Sequence, residues 1–159
     1  MKLLAISLIL FASSAYAYTR GEKEDYRISV LTELYSFIEH VGREISCYLK
    51  PLSDICKSYS SPILERLDFF NEIRAGGAMR AYEKLSERVS FTERENEVLE
   101  PFFSLLGRGY AEEELRLVER TVGGLADLIS LERDRVKKEK KLTLTLCSAA
   151  SLGLIILLI

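Results

Sequence analysis

Residues 111–159 read AEEELRLVERTVGGLADLISLERDRVKKEKKLTLTLCSAASLGLIILLI, and no proline interrupts them. In the first part Leu115, Val118, Val122, Leu125, Ile129 and Val136 recur at spacings set by three and four residues, which marks one buried face of a helix. Glu112, Glu113 and Glu114 stand at the start, where the positive end of a helix dipole favours acidic side chains. From Leu142 onward no charge appears. As a helix, residues 142–159 would measure roughly 27 Å, enough to cross the hydrocarbon of a bilayer. Their Thr and Ser hydroxyls can bond back to the helix and so do not oppose insertion. The stretch predicts one long helix, amphipathic at first and apolar on every face at its end. Gly123-Gly124 weakens it locally, as a bend or a close helix crossing.

The start of the chain mirrors this pattern. Met1-Lys2 precedes an apolar run from Leu3 to Ala12, then Ser-Ser-Ala-Tyr-Ala to Ala17. Taken alone, the segment has the basic start, apolar stretch and small-x-small site of a secretory signal peptide. A retained helix over residues 1–18 is the other reading, short but able to span with little tilt. Charge favours retention. Arg133, Arg135, Lys137, Lys138, Lys140 and Lys141 crowd before the C-terminal block, and Arg20, Lys23 and Arg27 follow the N-terminal one. Positive residues at the ends of membrane helices favour the cytoplasm. The expected layout is an N-terminal span over 1–18, a cytoplasmic helical bundle over 19–141 and a C-terminal span over 142–159. The alternative is an exported, tail-anchored protein whose signal peptide is removed after Ala17. The basic run could also touch anionic lipid headgroups.

Between these blocks the chain is rich in Glu, Lys and Arg and holds all 3 prolines. Ile28, Leu31, Tyr35, Ile38, Ile45, Leu49 and Leu52 mark a helix face, widened by Leu34, Val41 and Tyr48 and ending near Pro51. Gly42 falls in that stripe, and a glycine there would let another helix approach; the helix carrying Gly123-Gly124 is the candidate. Ser61-Pro62 opens a helix through Ile63, Leu67, Phe70 and Ile73 that Gly76-Gly77 closes. Another carries Met79, Tyr82, Leu85 and Val89. Thr92 with Glu95 forms a capping box ahead of Val98, Leu99, Phe102 and Phe103, inside which Pro101 should kink the helix or restart it. Gly107 and Gly109 mark a turn. The fold expected is all-α, an antiparallel helical bundle flanked by N- and C-terminal transmembrane helices.

Chemistry is sparse. His40 is the only histidine, which excludes a bundle metal site built on two Glu-x-x-His pairs. His40 with Glu44 supplies two ligands at most and reads better as helix surface. Cys47 and Cys56 lack two further ligands for zinc; they could pair in an oxidising compartment or stay free thiols in a reducing one. Cys147 lies within the apolar block. No phosphate loop, nucleophile elbow or dinucleotide turn occurs. A net charge of −2 offers nothing to nucleic acid. An enzyme is not expected, nor a cofactor.

Taken in order, these features resemble the stage III sporulation protein AB family. The matches are Glu44-Ile45, Tyr48 and Pro51-Leu52, then Ala81-Tyr82 with Leu85, then Glu97-Val98-Leu99 leading to Leu106-Gly107, and finally Gly153-Leu154 with Leu157-Leu158. The similarity runs over almost the full length. Tyr82 stands where the family pattern has tryptophan, and Pro101 falls in a helix that is otherwise continuous. The resemblance implies a subunit of a channel-like sporulation complex in the mother-cell membrane around the forespore. It is similar to the platform protein of type II secretion and type IV pilus machines. The partners implied are a cytoplasmic ATPase and other membrane subunits, with no catalytic residues.

Overall fold

The computed structural model describes the backbone of residues 2–48, 50–109 and 111–158, and the side chains over 21–47, 50–109, 112–143, 145–146 and 149–150. Six helices follow one another: α1 (Lys2–Tyr48), α2 (Leu52–Ser58), α3 (Pro62–Arg66), α4 (Phe69–Val89), α5 (Glu93–Leu105) and α6 (Ala111–Leu158). No strand occurs among the described residues. The chain forms two compact units, one of residues 27–130 and the other of 1–26 with 131–159.

Local chemistry sets the helix boundaries in the larger unit. Pro51 disfavours helical backbone at Lys50, and α1 stops before it. α2 has no side-chain cap; its first turn hangs on the Pro51 carbonyl, which accepts from Asp54 N and Ile55 N at 3.0 and 3.2 Å. Ser61 caps α3 by accepting from Leu64 N at 3.3 Å, with Pro62 in the first turn. The helix expected from Ser61 to Gly76 is in fact two. Asp68 adopts the left-handed conformation (φ 58°, ψ 18°) and resets the register, so that Phe69 and Phe70 both enter the core. Aspartate tolerates this geometry better than most residues. Gly77 breaks the next helix as expected, with φ 86° and ψ 174°. Pro101 does not end α5, which continues to Leu105. The exposed position of Pro101 allows the carbonyl one turn earlier to turn to water.

The core of this unit is aromatic. Phe37 of α1 meets Phe69 and Phe70 edge-on, each with ring centroids 5.7 Å apart. Phe69 continues to Phe103 at 5.8 Å, and Phe103 stacks on Tyr82 at 5.1 Å. Such pairs add about 0.5–1.5 kcal/mol each beyond the area they bury. Around them pack Leu31, Leu34, Ile38, Ile55, Leu64, Leu85, Leu99 and Leu125, all essentially inaccessible. The expected stripe of α1 is buried at Ile28, Leu31, Leu34, Ile38, Val41 and Ile45 and is widened by Val30 and Phe37, while Tyr35 stays half-exposed and donates to Glu39 at 3.0 Å. On α6, Val118, Leu125 and Ile129 are buried and Leu115 and Val122 only half so.

The smaller unit is held differently. Gly21 of α1 lies against Lys140 of α6, where an added Cβ would sit 3.5 Å from its Cε. Glu24 accepts from Arg135 at 3.2 Å and Asp25 pairs with Lys140 at 2.5 Å. Residues 21–25 of α1 thus lie beside residues 135–140 of α6.

Candidate functional site

Within the larger unit one buried polar cluster stands out. Thr92 and Glu95 form both halves of a capping box: Thr92 N donates to Glu95 Oε2 at 2.7 Å, and Glu95 N to Thr92 Oγ1 at 3.4 Å. The other carboxylate oxygen, Oε1, accepts from Arg27 Nη1 of α1 at 2.5 Å. The Arg27 and Glu95 side chains are 6% and 0% exposed. Removed from water, either charge is costly to leave without the other. One carboxylate thus caps α5 and ties it to α1. The sequence pattern announces the cap but places Arg27 with the membrane-flanking charges; its burial removes it from that group.

Next to this cluster, Tyr82 donates its hydroxyl to Asn96 Oδ1 at 2.5 Å, and Asn96 Nδ2 donates to the Phe91 carbonyl at 3.4 Å. Burial, and then the carboxylates of Glu100 and Glu95, push the Tyr82 phenol well above its ordinary range. It is held as a neutral donor. The tyrosine sets its aromatic plane against Phe91 and Phe103 and places a donor at its rim.

The glycines singled out from sequence do not share one crossing. Gly42 packs against α6 at Val118: a Cβ there would come within 2.7 Å of Val118 Cγ1. Gly124 faces Val98 of α5, with a Cβ 3.2 Å from its Cγ1. Gly123 has open space around it.

The six basic residues before the C-terminal block also separate. Arg135 is engaged by Glu24, by Glu132 at 2.9 Å and by Glu139 at 3.7 Å, and Lys140 by Asp25. Lys137, Lys138 and Lys141 are exposed and have no ion-pair partner among the described residues; Arg133 is exposed too. Leu142 and Leu146, at the start of the apolar block, are 62% and 69% exposed. Thr143 and Thr145 donate to the Glu139 and Lys141 carbonyls at 2.9 and 2.8 Å, so these hydroxyls are satisfied within the helix. Among the described residues no helix is long and apolar enough to cross a membrane. The span expected over 1–18 lies outside the residues whose side chains are described, as does most of 142–159 with Cys147.

Cys47 is exposed and Cys56 buried, and both are free thiols. Desolvation pushes the Cys56 thiol up to about 11, against a lesser pull from Arg74. His40 is not a bare surface group: it lies 5.2 Å from the Tyr59 ring and within 3.1 Å of Ser58 Oγ. Glu44 pairs with Lys50 at 2.6 Å instead, which holds its carboxyl below the usual range. No group of three or more potential ligands that could hold a metal occurs among the described residues. A cleft of about 260 Å³ opens beside Cys56, walled by Tyr59, Glu65, Asp68 and Arg74. Its polar groups are tied to one another, Arg74 to Asn71, Asn71 to Asp68 and Ser60 to Glu65. Among the described residues the arrangement carries structural pairs and an exposed lysine set.

Compared with known families, residues 2–159 match the model of stage III sporulation protein AB. No curated protein and no solved structure matches the chain.

Proposed function

Since the chain belongs to the stage III sporulation protein AB family, and so has a role in sporulation, we propose that it is a non-enzymatic adaptor of the mother-cell membrane. Helices over 1–18 and 142–159 hold it in the bilayer. Its helical domain lies in the cytoplasm and docks a cytoplasmic ATPase and other membrane subunits of a secretion-like complex.

The observation that carries this reading is the pairing of α1 and α6 in the smaller unit. Gly21 against Lys140, with Asp25 paired to Lys140 and Glu24 to Arg135, brings together the stretches that adjoin the two apolar blocks. Two apolar blocks that adjoin one contact suit a chain that enters one membrane twice. Three further features support it. Leu142 and Leu146 are exposed, and the Thr143 and Thr145 hydroxyls bond inwardly. Exposed lysines adjoin the apolar block, where positive charge favours the cytoplasm. A cytoplasmic setting also suits two cysteines that remain thiols.

Cys47 offers the test, because Cys56 is only 2% exposed and Cys147 can be replaced by Ser. In intact protoplasts a membrane-impermeant maleimide should leave the full-length protein unmodified, and permeabilisation should expose Cys47 to it. Modification in intact cells would place the domain outside and overturn the topology. Retention of the ATPase by the detergent-solubilised protein tests the docking, and failure to retain it removes that part of the proposal.

A further inference from the structure

The basic stretch before the C-terminal block is a single cluster in the sequence, and the structure divides it by partner. Arg135 and Lys140 face α1 and are occupied by Glu24 and Asp25. Lys137, Lys138 and Lys141 are exposed and have no ion-pair partner among the described residues. Helical geometry, at about 100° per residue, sets these three within an arc of roughly 100°. The middle of that arc lies roughly 150° from Val136, which is buried at 5% exposure. The three lysines therefore form one face directed away from the helix pair. Asp134 falls on the same face, exposed, and offsets one charge of the three.

Depth along the helix points to the ligand. Lys141 adjoins Leu142, the first residue of the apolar block, and Lys137 stands only about 6 Å further back. That distance is within a Debye length at physiological salt, so all three charges feel a charged surface at the edge of the block. Their stems are long enough to lie along apolar surface while the ammonium groups reach water and phosphate.

We infer that Lys137, Lys138 and Lys141 form a docking face for anionic phospholipid headgroups, while Arg135 and Lys140 serve only to clasp α6 to α1. The inference rests on the membrane reading given above and adds to it a lipid preference and a division of labour within the cluster. Positive charge alone would set topology with any of the six residues. Headgroup recognition requires the ones not already neutralised within the protein, because a lysine bound to a carboxylate must give up that partner before it can take a phosphate.

The experiment uses the purified full chain reconstituted into phosphatidylcholine vesicles that carry a small amount of spin-labelled phosphatidylglycerol or spin-labelled phosphatidylcholine. The fraction of motionally restricted label gives the preference for the anionic lipid. The parent should prefer phosphatidylglycerol several-fold, and the preference should shrink as ionic strength rises. The triple variant Lys137→Gln, Lys138→Gln, Lys141→Gln should lose most of it with an unchanged melting temperature. The variant Arg135→Gln, Lys140→Gln should keep it and melt earlier. An unchanged preference in the triple variant overturns the inference, as does an equal loss in the Arg135 and Lys140 variant. A chain that fails to float with vesicles of either composition overturns the membrane reading itself; flotation without headgroup preference overturns this inference alone.

Discussion

Two ion pairs of the same chemistry hold the two units of this protein, and their surroundings give them opposite weight. Arg27 and Glu95, in the unit of residues 27–130, are almost wholly removed from water and sit beside a core of stacked aromatic rings. Arg135 and Glu24, in the unit formed by the chain ends, are 46% and 24% exposed and face no comparable core among the described residues. Burial makes a charge pair expensive to form and worse to break, while exposure lets water and salt replace either partner. The larger unit therefore gains a fixed register between α1 and α5 from its ion pair. The smaller unit gains only a loose clasp. Under the proposed membrane reading the helix pair has little need of more.

The sharpest way to break the comparison is to remove one buried charge. Glu95→Ala takes from the buried Arg27 guanidinium its carboxylate in α5 and opens the capping box at once, and should cost about 3–5 kcal/mol. Arg27→Ala should be nearly as harmful, because Glu95 then stays buried with only the Thr92 amide to satisfy it. The double variant Arg27→Met, Glu95→Leu should be less destabilised than either single one, since no lone charge remains. Chemical denaturation of the detergent-solubilised chain, followed by circular dichroism, measures all three. A double variant weaker than both singles would mean that the cluster supplies net stability, not register.

The glycines come next in size and have opposite signs. Gly42→Ala puts a methyl group 2.7 Å from Val118 Cγ1, a distance that forces one helix to shift. Overpacking of this kind costs about 1–3 kcal/mol and offsets the roughly 1 kcal/mol that alanine gains in helix propensity. Gly42→Leu should be worse, and Val118→Ala should rescue Gly42→Ala in a double-mutant cycle. Gly123→Ala meets nothing within 4 Å and should stabilise α6 by up to about 1 kcal/mol. Equal shifts at positions 42 and 123 would show that propensity, not packing, governs both.

Positions 42 and 95 also separate what the order of residues makes legible from what only the folded chain shows. Gly42 is legible as a gap in an apolar stripe, and so is the helix it faces. The contacting residue, Val118, is not, because periodicity specifies faces and not register. Thr92 and Glu95 are legible because both halves of a capping box lie three residues apart. Arg27 is not, because its partner is 68 positions away and a lone arginine near an apolar block reads as a flanking charge. α2 escapes for a related reason: it is 7 residues long and hangs on a backbone carbonyl, with no capping side chain to announce it. The break at Gly77 carries its own signal, whereas Asp68 bends the chain with a residue equally at home elsewhere. The division of the basic cluster depends on how α1 and α6 pair, since that pairing decides which cations α1 engages.

The smallest expected effect belongs to the exposed clasp. Arg135→Ala removes contacts to Glu24, Glu132 and Glu139, yet each lies on a surface where water competes, so the loss should stay below about 1 kcal/mol. Lys140→Ala should cost no more, its partner Asp25 being half exposed. Both losses should fade as salt is raised, because screening removes in the parent what the substitution removes in the variant. Glu95→Ala should keep its full cost under the same conditions, since salt reaches a buried pair poorly. A reversed pair, Asp25→Lys with Lys140→Asp, should restore the parent melting temperature at low salt if Coulomb attraction is all that the contact provides. If Arg135→Ala instead costs as much as Glu95→Ala, and salt leaves that cost untouched, then the clasp is shielded by something that covers it in the full assembly, and the contrast between the two units disappears.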